Sequence, residues 1–261
     1  MFTVSVLKGQ TQPFGVVDTA DLKLTSCVFE KDANAMILFN ACTAHYDYGA
    51  LLLEHHIRLK IFNSKANDLG DISIDFPTNE RIMGILDLKA ETINLNNGKI
   101  EVTPLNKKDF YKRKLDKWTS RYTFSFPSLK PGSVLEYSYT QWINFTRVIP
   151  KWYFQGKLPV RFSEIKVVPL TGYTLTAHLH VKTEPVVNTD TLVTMANIPS
   201  LPEEPFMDAY SANLQSVSFS YSHDAGGAIK TAVKSNWTDI GRILIFGKGY
   251  GQQLKIKLKG E

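Results

Sequence analysis

The chain has 261 residues, 43% of them hydrophobic and 21% charged, with a net charge of +5. This is the composition of a globular protein with one large core or two small ones, and it excludes a disordered chain. So mild a charge, with no dense basic stripe, argues against a nucleic-acid reader. No apolar run approaches the ~20 residues of a membrane helix.

The predicted elements begin with residues 1–12, which read in two ways. They are a signal-peptide remnant or disordered start, or else a first strand with Phe2, Val4 and Val6 on one face. Residues 18–22 fit one helical turn, and residues 24–29 (LTSCVF) look strand-like. Residues 51–63 (LLLEHHIRLKIFN) alternate with period two. That pattern predicts a strand with Leu53, Ile57, Leu59 and Ile61 buried and Arg58 and Lys60 more exposed. Residues 82–95 form a second long strand, and Asn97-Gly98 marks the hairpin that returns through 99–103.

The basic cluster of Lys107, Lys108, Lys112, Arg113, Lys114 and Lys117 is interrupted by Asp109 and Asp116 and reads as solvated surface. Residues 121–126 and 133–145 are strands joined by a turn rich in Pro and Gly. Further strands are expected at 160–168, 173–183 and 216–222. Residues 197–207 (NIPSLPEEPFM) carry three prolines and must be irregular. A short helix is expected at 237–246, capped by Asn236 and stopped by Gly247 and Gly249. The fold class is therefore all-β: a large antiparallel β-sandwich over residues 13–235 with a short C-terminal helix.

No pattern assembles a catalytic site. Cys27 and Cys42 lack metal-ligand spacing, and their pairing is left open. His178 and His180 share one strand face, but no third ligand stands beside them in sequence, so no metal is expected. His55 falls on the apolar side of its strand and is read as a core histidine. The tail 247–251 lacks the spacing of a phosphate loop, and no cofactor is implied. The aromatic residues are more suggestive. Trp152, Tyr153, Phe206 and Met207, with Trp142, are the candidates for a ligand or domain-docking surface, because large apolar anchors on irregular loops are where binding concentrates. The opposing reading is an aromatic core.

Five stretches, in order, resemble a family of bacterial domains of uncharacterised function that precede transglutaminase-like domains in envelope proteins. They are EHHIRLKIF (54–62), ETINLNNGKI (91–100), FPSLKPGSVLEY (126–137), WYFQ (152–155) with PVR (159–161), and NIPSLPEEPFM (197–207). The resemblance covers about residues 14–219. It implies a β-sandwich, an extracytoplasmic location in the periplasm or cell envelope after signal cleavage, and a downstream partner domain that carries a Cys-His-Asp triad. Residues 236–261 then read as a lead-in helix and tail toward that domain, and no triad residue can be assigned within this sequence. The expected role is a non-catalytic accessory domain whose partner is the downstream domain, a peptide or a glycan. The alternatives are a fragment of a transglutaminase-like or protease-like enzyme, and a structural spacer.

Overall fold

The computed structural model describes residues 12–144, 146–205, 207 and 209–223. The expected helix at 237–246, the start at 1–11 and Phe206 lie outside the described residues. The chain divides into two compact units. The first holds Met1–Thr171 and Leu175–Ser220; the second holds Gly172–Thr174 and Tyr221–Glu261. Within the second unit, Tyr173 and Tyr221 meet edge-on with centroids 5.9 Å apart.

The described residues form fourteen strands: β1 (Ala35–Asp47), β2 (Ala50–Ile61), β3 (Asp71–Pro77), β4 (Met83–Asn96), β5 (Lys99–Pro104), β6 (Tyr111–Lys114), β7 (Thr119–Ser125), β8 (Val134–Asn144), β9 (Trp152–Tyr153), β10 (Val160–Val167), β11 (Tyr173–His180), β12 (Val187–Asn188), β13 (Leu192–Ile198) and β14 (Ser216–His223). Two short helices, α1 (Thr19–Lys23) and α2 (Tyr210–Asn213), are added to them. The class is all-β. An eight-stranded sheet runs in the order β12-β13-β10-β1-β2-β8-β4-β5, and two three-stranded sheets run β11-β14-β9 and β3-β7-β6. Most pairings are antiparallel; β1 with β10 is parallel, which the expectation of an antiparallel sandwich did not include. The β4–β5 hairpin turns at Asn97 and Gly98, both with positive φ, as Asn-Gly dictates.

One face of the large sheet packs on the β3-β7-β6 sheet. Leu59, Ile61, Ala90 and Leu135 meet Phe124 and Phe126 there. Leu53, Ile57, Leu59 and Ile61 are all buried, as their alternation requires. The opposite face overturns the other half of that expectation: Arg58 and Lys60 are 0% exposed. The reason is the segment before β1. Leu22 and Cys27 from it pack on Met36, Leu38, Ile93 and Val134, so this end of the sheet is buried on both sides. Residues 24–29 belong to this covering segment and are irregular, not a strand.

Candidate functional site

The buried charges are held by a row of side chains in register across four strands. Phe39 of β1 lies opposite Arg58 of β2, Arg58 opposite Glu136 of β8, and Glu136 opposite Glu91 of β4. The Arg58 guanidinium lies 4.8 Å from the Phe39 ring centroid and donates to Glu136 Oε1 at 2.6 Å. His56 Nε2 reaches the same oxygen at 2.6 Å. The other carboxylate oxygen accepts from Gly15 N–H at 3.1 Å, and Arg58 also donates to the Gln12 side chain. Gly15 has φ +79, a conformation that suits a residue without a Cβ. Burial, then the neighbouring charge of Glu136, pushes the Glu91 carboxyl upward against the pull of Arg58. Lys60 donates to the carbonyls of Leu22 at 2.7 Å and Gly132 at 2.6 Å. Burial lowers its pKa to about 8, with Asp21 acting the other way. Asp21 itself takes both arms of Arg161, at 2.5 and 3.0 Å, which fastens α1 to β10.

Where Phe14 ends this cover, the same face opens into a hollow of about 490 Å³. Two registered rows line it. Glu164, Ala41, His56, Ser138 and Lys89 form one; Lys166, Thr43, Glu54 and Thr140 form the next. A bulge between Leu86 and Lys89, with Asp87 at φ +52, brings Asp87 to the rim. Glu54, Lys89 and Lys166 are exposed and Glu164 is half-buried. Among the described residues none of these four engages in a salt bridge. Burial raises the Glu164 carboxyl, and the charge of Lys166 partly offsets this. The hollow thus presents carboxylates and ammonium groups of both signs on a rigid sheet. Sequence reasoning missed it, because the hollow is assembled across five strands and each of its charges is an ordinary strand charge by itself.

The register also sets Cys42 directly opposite His55. Burial, with Glu54 adding to it, pushes the thiol up to about 12. Burial takes the imidazole down to about 4, against hydrogen bonding with Gln141. A thiolate–imidazolium pair needs the opposite shifts. His55 instead stacks on Tyr139 at 4.6 Å and Trp152 at 5.9 Å. Cys27 and Cys42 are both buried free thiols, and among the described residues no group of three potential ligands could hold a metal. His178 and His180 are exposed on β11, with His178 against Ser220 Oγ at 2.7 Å.

The aromatic candidates are dispersed between core and margin. Trp152 is 8% exposed and donates to Ser163 Oγ at 3.2 Å. Tyr153 is half-buried in β9, paired with Ser216. Trp142 is half-buried on β8 and lies on Gly84, where an added Cβ would come within 2.6 Å of the indole nitrogen. Met207 is half-buried. Just after Trp152 and Tyr153, Gln155 donates to Pro199 O at 2.9 Å, and Leu201 N–H donates to Gly156 O at 2.8 Å.

Among solved structures, a crystal structure from Parabacteroides distasonis ATCC 8503, described as a "putative protease", matches with a TM-score of 0.58 and 14% identity. The match covers 71% of this chain and 40% of that chain, and it shows a shared fold. The chain thus spans about two fifths of that structure's length. Aminopeptidase A of Legionella pneumophila (8% identity, 72% of this chain and 22% of that one) and yeast LTA4 hydrolase (10% identity, 71% and 28%) match only at a TM-score of 0.32, too low to support an argument. No curated protein matches in sequence. Residues 49–202, more than half of the sequence, match the family of domains of unknown function with a solved structure named DUF3857, and the chain belongs to that family.

Proposed function

We propose that this chain is a non-catalytic interaction domain that works beside a transglutaminase-like, cysteine-hydrolase-type domain in a bacterial envelope protein, outside the cytoplasm. The observation that carries the reading is the hollow on the large sheet, where Glu54, Glu164, Lys89 and Lys166 stand in two rows and, among the described residues, form no salt bridge. Exposed charges of both signs on a rigid sheet suit a polar partner surface, which can supply complementary charges and gains orientation from them. The partner domain is the preferred occupant; a peptide or glycan is the alternative. The opposed pKa shifts of Cys42 and His55 support binding without turnover.

The test measures the affinity of the chain for a separately expressed transglutaminase-like domain from the longer protein. Glu54→Lys with Lys89→Glu, both exposed positions, is expected to weaken binding at least tenfold while leaving the melting temperature unchanged. Undiminished affinity in that variant would remove the hollow from the interface. Hydrolysis of peptide, amide or ester substrates by the pure chain, abolished in Cys42→Ala, would replace the reading with an enzyme.

A further inference from the structure

The β6–β7 hairpin departs from every other surface of the described residues. Residues 111–118 (YKRKLDKW) are all exposed, an unbroken run of eight. Trp118 is 72% exposed, Tyr111 65% and Leu115 40%. The strand is the outer edge of the β3-β7-β6 sheet. Two acidic residues break the basic run in sequence, but both are used locally. Asp116 accepts from the N–H groups of Trp118 and Thr119, each at 2.7 Å, and so closes the turn. Asp109 accepts from Asn106 N–H at 2.8 Å and caps the short helical turn before β6. Lys112 is drawn aside to Glu80 and to the rings of Phe76 and Tyr122. Lys107, Lys108, Arg113, Lys114 and Lys117 remain, exposed and, among the described residues, without a salt-bridge partner.

Lysines on an edge strand discourage pairing with another chain. That accounts for the charge on β6, but not for an indole, a phenol and a leucine held in water beside it. Cations flanking exposed Trp, Tyr and Leu side chains match the two layers of an anionic bilayer surface. Phosphate groups neutralise the cations, and the amphipathic rings settle at the headgroup level. The turn is fixed by Asp116 and by two backbone bonds to Thr119 O, so little order is lost when it docks. The Lys117 ammonium lies 5.0 Å from the Trp118 ring, so cation and indole face the same neighbourhood.

We infer that the tip of the β6–β7 hairpin is a peripheral docking site for an anionic lipid bilayer, with Trp118 and Leu115 entering the headgroup region and Arg113, Lys114 and Lys117 contacting the lipid phosphates. This inference does not depend on the hollow or on its partner.

The experiment measures partition of the chain onto phosphatidylcholine vesicles with and without phosphatidylglycerol, by co-sedimentation and tryptophan emission. Binding is expected only to the anionic vesicles, with a blue shift of emission and with release as salt is added. Lys114→Glu with Lys117→Glu should lower partition by more than about 25-fold, at roughly fivefold for each cation lost. Trp118→Phe should abolish most of the blue shift although three other tryptophans remain. Circular dichroism of both variants should match the parent, because the altered side chains are exposed. Equal binding to neutral vesicles, unchanged binding by the charge variant, or binding to dextran sulfate without binding to vesicles would each overturn the inference. The last outcome would assign the patch to a soluble polyanion.

Discussion

Two short basic stretches meet opposite fates. Arg58-Leu59-Lys60 on β2 and Lys112-Arg113-Lys114 on β6 are both cationic strand segments. The first is wholly buried; the second is wholly exposed. Propensity and charge do not distinguish them. What does is whether distant chain supplies acceptors. Arg58 has Glu136, 78 residues on, and Lys60 has the carbonyls of Leu22 and Gly132. A buried cation persists only with such partners, whereas an edge-strand cation needs only water.

The strongest way to break this contrast is Glu136→Ala. It strips Arg58, His56 and the Gly15 amide of their common acceptor and leaves a buried guanidinium uncompensated. Chemical denaturation should show a loss of about 3–5 kcal/mol. A loss below about 1 kcal/mol would mean that water reaches Arg58.

Leu59→Ala separates the aliphatic side of the same strand from its charged side. Its side chain is 6% exposed within the cluster that joins two sheets, so the substitution should cost about 2–5 kcal/mol. A negligible cost would contradict the sheet packing.

His55 sharpens the comparison through pH. Its folded pKa is about 4, below the unfolded 6.5, because burial disfavours the charged ring. The unfolded chain therefore binds the proton first. Stability is complete above pH 6.5 and is lost as pH falls toward 4, by about 3 kcal/mol from this residue. His55→Gln should flatten that part of the stability profile, and an unaltered acid slope would assign the loss elsewhere.

The smallest effect belongs to the exposed hairpin. Lys114→Ala should change stability by less than about 0.5 kcal/mol. A larger loss would mean that the hairpin contributes to folding.

Much of the sheet was legible from residues alone. The alternation in β2, the Asn97-Gly98 turn and the Pro-Gly turn before β8 are local signals, and local geometry follows from them. The first strand was not legible. Residues 35–47 (AMILFNACTAHYD) are nearly continuous in apolar character, and a bulge between Ile37 and Phe39 breaks their alternation. A period-two pattern states which side chains share a face, not what will be laid over it. For that reason Arg58 and Lys60 were expected outside, while the cover from residues 12–34 put them inside. The hollow was invisible for a related reason: its charges meet only through the register of five strands. Trp152 was legible as an aromatic, and its burial against His55 required the fold.

Amine labelling of native protein, read by mass spectrometry, tests the burial of the charged face most directly. With a pKa near 8, Lys60 would be more nucleophilic than any ordinary surface lysine if reagent could reach it. The account predicts that at pH 8 Lys114 and Lys117 label rapidly while Lys60 stays unmodified until the chain is denatured. Labelling of Lys60 in the native state at the rate of Lys114 would contradict it.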